Sequence, residues 1–274
     1  MSFQVGDLRN FRSGGQGDLY LGRRTDTGEP VVVKFLRESH LLAARKAFAR
    51  EVQVLARKLQ GIIPLLAWDT TAARPFYVMP YLPGGSLTQY AGRLTPIQLQ
   101  AVAVELARTL ANLHAANDVH GDVKPDNILL TGAGKAQIAD PLGNGTLFTV
   151  LFSQNCGGTP GYWAPEIATG GSISRAGDVH AYGATLRHLL TGQMPQDSRH
   201  LELLWPTYPW APKICEIIRL CCQPDPRLRP TMPEVLRLLN GDSWAEIQAS
   251  RQKHQQLAAA LVVGVLVLLL ATAR

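Results

Sequence analysis

The sequence predicts an α+β protein of two lobes, strand-rich first and helix-rich after, with a C-terminal transmembrane helix. Three observations predict it. β-type runs crowd residues 5–35, with one helical pattern behind them. Helical patterns dominate beyond residue 82. An uncharged apolar run then covers residues 257–273.

In chain order, Leu19, Leu21, Val31–Val33 and Phe35 are β-type, broken by Thr27-Gly28-Glu29. Leu41, Leu42, Phe48, Val52 and Leu55 recur near helical spacing and predict a helix over 40–59. Short apolar runs at 62–67 and 76–79 read as strands, and Pro83-Gly84-Gly85 as a loop. The first lobe is placed at 1–81 and the second at 82–240. Thr95-Pro96 sets an N-cap and a first helical position, and Leu99, Val102, Leu106, Leu110 and Leu113 mark one face of a long helix. Residues 128–130 and 136–138 read as short strands. Residues 179–190, 212–222 and 233–239 read as helices, and 241–256 as a polar juxtamembrane linker.

The chain has 274 residues and a formal charge of +6. That length suits one large domain or two small ones sharing a cleft. The basic excess lacks a run interleaved with aromatics, so no nucleic-acid partner is expected. None of the four cysteines lies in a CxxC pair, and the pattern fits a reducing compartment. The apolar tail of seventeen residues would rise about 25 Å, at the short end of a bilayer core. Arg251, Lys253 and His254 precede it, which predicts a single-pass membrane protein with the lobes on the cytoplasmic side.

Several motifs carry chemistry. Ser13, Gly14, Gly15 and Gly17 lie between β-type segments, followed by Leu19. Glycines let backbone amides approach phosphate oxygens without a Cβ clash, although a plain hairpin turn has the same look. Lys34 ends an apolar strand seventeen residues after Gly17 and can meet phosphate oxygens as a point charge. Glu51, on the following helix, can pair with it. Farther on stands His120-Gly121-Asp122-Val123-Lys124-Pro125-Asp126-Asn127, then Asp140, then Gly158-Thr159-Pro160-Gly161-Tyr162-Trp163-Ala164-Pro165-Glu166.

Over residues 5–240 these motifs, in this order, resemble the protein-kinase family, and more narrowly bacterial serine/threonine kinases of eukaryotic type. The resemblance implies the two-lobed protein-kinase fold and transfer of the ATP γ-phosphate to protein Ser/Thr hydroxyls. It makes Asp122 the acceptor of the substrate hydroxyl's proton and Lys124 the neutraliser of the γ-phosphate. It makes Asn127 and Asp140 the Mg²⁺ ligands. Residues 75–87 resemble the hinge, with Met79 behind the adenine and the backbone of Pro80 and Leu82 bonding it. Thr159 would lie beside the catalytic aspartate. Glu166 would pair with Arg229, and Asp178 would brace the catalytic-loop backbone.

Three departures stand out. Arg12 replaces the first glycine of the phosphate loop, which implies an altered grip on ATP. Gly121 replaces the arginine that pairs with a phosphate on the activation segment, which implies independence from phosphorylation at Thr146, Thr149 or Ser153. Pro141-Leu142 replaces Phe-Gly after Asp140, which implies a segment held in one magnesium-competent arrangement. Three other readings share parts of the pattern: a non-catalytic pseudokinase, a small-molecule phosphotransferase, and a docking domain assembled by its tail. The Gly158–Glu166 segment argues against the second.

Overall fold

The computed structural model describes residues 4–13, 17–142, 161–195 and 207–272. Five antiparallel strands form the first sheet: β1 (Val5–Ser13), β2 (Gly17–Arg24), β3 (Pro30–Leu36), β4 (Ala67–Asp69) and β5 (Phe76–Pro80), in the order β1-β2-β3-β5-β4. β3 is the central strand. Its Val31, Val32 and Val33 are all buried because the sheet is covered on both faces there.

Helix α1 (Leu42–Ala56) packs Phe48, Val52 and Leu55 under that sheet. The run at 62–67 is mostly not a strand. Ile62 makes one bridge to Ile138, and the Ile63 N–H donates to the Ile138 carbonyl at 3.0 Å. This segment thus joins the sheet lobe to the helical one instead of extending the sheet.

Helix α2 (Pro96–Ala115) starts at a capping box in which Thr95 and Gln98 satisfy each other's backbone N–H. Its leucines, with Ala103 and Ala107, are buried against α4 and α6. Strands β6 (Ile128–Leu130) and β7 (Ala136–Ile138) form a small hairpin beneath the cleft. Helices α3 (Pro165–Ala168), α4 (Arg175–Thr191), α5 (Pro212–Cys221) and α6 (Met232–Leu239) complete the second lobe. In α4 thirteen residues are buried, so it is the lobe's central helix. The fold is a mixed α/β one, with an antiparallel sheet lobe and a helical lobe.

The tail corrects an expectation. The linker and apolar run form one helix, α7 (Trp244–Thr272), whose start packs on the lobe through buried Ile247 and an Arg251–Glu234 ion pair. Among the described residues no helix is long and apolar enough to cross a membrane. The first half of α7 is polar. The uncharged residues 257–272 rise only about 24 Å, short of a bilayer core of about 30 Å. Leu257, Leu261, Val262 and Val265 are exposed.

Candidate active site

The cleft is built where β3, α1 and the end of β7 meet. Lys34 is the fifth residue of β3, and its side chain is buried. Its Nζ lies 2.7 Å from Glu51 Oε1 on α1 and 2.9 Å from Asp140 Oδ1. Burial disfavours the Lys34 ammonium, but the Asp140 and Glu51 carboxylates outweigh it and hold its pKa above the ordinary value. Burial pushes Glu51 up to about 7, with Asp140 adding to the rise and Lys34 opposing it. Asp140 resists burial because Lys34 is beside it, and it stands at about 2. Its side chain keeps 34% of its surface, which leaves room for a ligand.

Asp140 is in the left-handed region, at φ 56°. A non-glycine residue stays there only when its surroundings hold it. Here the Leu142 N–H donates to the His120 carbonyl at 2.7 Å, and the Ala139 N–H to the Asn127 carbonyl at 2.8 Å. The residues on either side of Asp140 are thereby tied to the loop at 120–127.

That loop is pinned from below. Asp178 on α4 accepts the backbone N–H of His120 through Oδ2 and of Gly121 through Oδ1, both at 2.7 Å. His114 Nε2 meets Asp178 Oδ2 at 2.9 Å. His120 is fully buried, and burial lowers its pKa, so the ring is neutral. Its Nδ1 faces the Asp122 N–H and its Nε2 the Ala139 carbonyl, which fixes the Nε2–H tautomer. Gly121 has φ 81°, and a Cβ there would come within 3.0 Å of Ile173 Cγ2 and 3.2 Å of Leu142 Cβ.

Above this base, Lys124 Nζ lies 2.7 Å from Asp122 Oδ2. Asn127 Nδ2 donates to the same Oδ2 and to the Asp122 carbonyl, both at 2.8 Å. The Asn127 amide nitrogen is thus committed to Asp122, and its oxygen is the atom suited to a metal. Asn127 and Asp140 offer oxygen donors, few in number, as Mg²⁺ prefers when phosphate oxygens supply the rest. The donor set fits the ion.

Gly17 and Leu19 lie on β2, with Leu19 opposite Lys34 in register. A Cβ at Gly17 would meet the Phe35 carbonyl at 2.7 Å, so glycine is required for this close approach. Ser13 ends β1, while Gly14 and Gly15 lie outside the described residues. Met79 is buried on β5 opposite Val32, Pro80 ends that strand, and Leu82 follows two residues on.

Thr159, Thr146, Thr149 and Ser153 lie outside the described residues. The end of that segment is described. Glu166 takes a two-pronged grip from Arg229 at 2.6 and 2.8 Å, and the Tyr162 hydroxyl meets His188 Nδ1 at 2.5 Å. Tyr77 was not expected here. Its hydroxyl lies 2.7 Å from Glu51 Oε1 and 3.0 Å from Asp140 Oδ1. The available signal was a phenol two residues before Met79 in a buried strand, where a hydroxyl must find a partner.

A basic side chain held between two carboxylates, together with an Asp–Lys–Asn loop, is the arrangement of a phosphotransferase site. The chain belongs to the protein kinase family: the protein kinase domain matches residues 7–238. It is similar to a probable serine/threonine-protein kinase, PkwA, of Thermomonospora curvata, 32% identical over 85% of this chain and 34% of that protein. It is also similar to the DNA damage-responsive serine/threonine-protein kinase RqkA of Deinococcus radiodurans, 32% identical over 66% of this chain and 29% of that one. A third relative is the serine/threonine-protein kinase AfsK of Streptomyces griseus, 34% identical over 69% and 24%. The chain spans about a third or less of the length of these relatives. These relatives are bacterial serine/threonine-protein kinases, and membership of the family implies ATP with a divalent metal.

Proposed function

We propose that this chain transfers the γ-phosphate of ATP to Ser/Thr hydroxyls of protein substrates, with Asp122 receiving the hydroxyl's proton. The observation that carries the reading is the joint placement of Asp122, Lys124 and Asn127 around one carboxylate oxygen, opposite the Lys34–Glu51–Asp140 cluster. Lys34 binds α- and β-phosphate oxygens, and Glu51 orients it. Lys124 neutralises the γ-phosphate and holds Asp122 toward the acceptor. Asn127 and Asp140 hold Mg²⁺, which when bound neutralises phosphate charge. Ser13, Gly14, Gly15, Gly17 and Leu19 cover the phosphates. Met79, Pro80 and Leu82 enclose adenine, and the lobes divide near Leu82. The tether of Leu142 to His120 favours a segment held with Asp140 facing the cleft. The apolar neighbours Ile173 and Leu142 around Gly121 favour activity without a phosphate on the activation segment.

Asp122→Asn should lower the rate of peptide phosphorylation by about a thousandfold or more, with the melting temperature retained. A variant within tenfold of wild type would remove Asp122 from the chemistry.

A second reading concerns attachment to a membrane surface without spanning it. The exposed Leu257, Leu261, Val262 and Val265 favour it, since apolar residues clustered in water call for cover. The kinase should float with lipid vesicles, and lose that property when residues 257–274 are removed. Equal flotation of both forms would reject it.

A further inference from the structure

The Lys34 cluster holds a fourth polar group that phosphate transfer does not require. Tyr77 lies on β5 directly opposite Lys34 in register and is 0% exposed. Its ring stacks on Phe48 of α1, with centroids 5.4 Å apart and planes at 26°. Packing accounts for the ring, and a phenylalanine would fill the same space. The hydroxyl needs another reason, because burying it without partners costs free energy.

Its partners are the two carboxylates that share Lys34. Tyr77 Oη lies 2.7 Å from Glu51 Oε1 and 3.0 Å from Asp140 Oδ1. Burial, with both carboxylates adding to it, pushes the phenol well above its ordinary value, so the group is a donor throughout the physiological range. A phenol has one O–H. It can donate fully to Glu51 or to Asp140, and to both only as a divided bond. Lys34 sits within reach of the same two oxygens, and its Nζ is 5.5 Å from the Tyr77 ring centroid.

On the site assignment above, we propose that Tyr77 is a positioning residue for metal-nucleotide binding: its hydroxyl aims Asp140 into the cleft before nucleotide arrives, then passes to Glu51. In the nucleotide-free kinase two donors, Lys34 and Tyr77, hold two carboxylates. Once Asp140 engages the metal and Lys34 turns to phosphate, Glu51 would lose part of its hydrogen bonding. The O–H released from Asp140 replaces it. The hydroxyl thereby couples the place of α1 to the state of Asp140.

The test is binding of a fluorescent ATP analogue to the purified full chain, with and without Mg²⁺, for Tyr77→Phe and Tyr77→Met. Both should lower the affinity gained from Mg²⁺ by about tenfold, the worth of one buried charge-assisted hydrogen bond. They should do so equally, although only methionine disturbs the ring stack. An unchanged gain in Tyr77→Phe, or a loss confined to Tyr77→Met, overturns the proposal. Failure of both variants to fold also overturns it, since the group would then be structural. Asp140→Asn in the same assay separates the two levels. If it leaves the gain from Mg²⁺ intact, the site assignment fails. If it abolishes the gain while Tyr77→Phe behaves as wild type, only the role of Tyr77 fails.

Discussion

Two ion-pair centres built on a buried cation stand in this chain, and they follow opposite principles. In the cleft, Lys34 is shared between Glu51 and Asp140 at 2.7 and 2.9 Å, with the Tyr77 hydroxyl on the same two oxygens. In the helical lobe, Arg229 serves one carboxylate, Glu166, and spends its remaining N–H groups on the carbonyls of Gln223, Ala176 and Pro224. The first centre has more carboxylates than cations and leaves Asp140 partly open. The second is saturated. A centre that must exchange partners is kept short of perfect pairing, whereas a structural one is closed.

Breaking each cation should separate the two. Lys34→Met should lower phosphorylation by about a thousandfold, because the phosphates lose their charge partner, while the chain stays folded. Glu51 already stands at about 7 and can take a proton when the ammonium is gone. Arg229→Ala should do the reverse. It strands three carbonyls and a carboxylate, and should cost about 4 kcal/mol in denaturant unfolding while the folded fraction keeps its specific activity. A Lys34→Met protein that unfolds, or an Arg229→Ala protein that stays stable but inactive, would erase the distinction.

The two centres also differ in how far the sequence revealed them. The Glu166–Arg229 pair was expected from motif order, and the structure has it. So were the Lys34–Glu51 pair and the bracing by Asp178, because each lies in a motif whose residues do one job. The strands and helices were legible for the same reason they form: three buried valines in a row, a Thr95 capping box, leucines at helical spacing. Tyr77 and the ring bonds of His120 were not legible. The partners Asp140 and Ala139 lie 63 and 19 residues away, and no motif ties Tyr77 or the His120 Nε2 to them. The run at 62–67 misled because a short continuous apolar run fits a strand as well as an irregular segment buried between lobes. The tail misled because its seventeen uncharged residues stand at the short end of what crosses a bilayer core, where lack of charge does not decide the matter.

Acidity gives a finer contrast, because the two centres titrate with opposite sign. Next to the Arg229 centre, burial pushes His180 down to about 4, with the Arg229 charge adding to the effect against a bond to the Tyr162 carbonyl. A base whose folded pKa is depressed stabilises the fold above its unfolded value of about 6.5. That stability is lost as pH falls toward 4. In the cleft, the raised Glu51 pKa does the opposite: its contribution is complete below about 4.5 and is lost as pH rises through 7. In Glu51→Gln, where the opposing slope is gone, unfolding free energy measured from pH 7 to 4 should therefore fall by up to about 3 kcal/mol through His180, a fall that Glu51 largely offsets in wild type. Adding His180→Gln to Glu51→Gln should flatten that limb, and His180→Gln alone should make stability rise as pH falls from 7 to 4.5. Identical profiles for Glu51→Gln with and without His180→Gln would show that the acid limb belongs to other groups.

The smallest effect bears on the place where cleft and helical lobe join. Gly121 lies one residue before Asp122, at φ 81°, with its N–H on Asp178 and the side chains of Ile173 and Leu142 closing the space a Cβ would enter. An alanine there adopts a left-handed backbone at a cost of about 1 kcal/mol and must move Ile173 by a few tenths of an ångström. The cost should appear first in the catalytic loop, because Asp178 fixes the Gly121 N–H and strain then passes along the chain toward Asp122. Gly121→Ala should lower the unfolding free energy by about 1 kcal/mol and the phosphorylation rate by about threefold to tenfold, with ATP affinity little changed. A longer side chain meets the same apolar wall, so Gly121→Arg should lower the rate further. An arginine variant as active as wild type would show that this pocket opens readily, and that glycine serves the loop in some way other than relief of its left-handed turn.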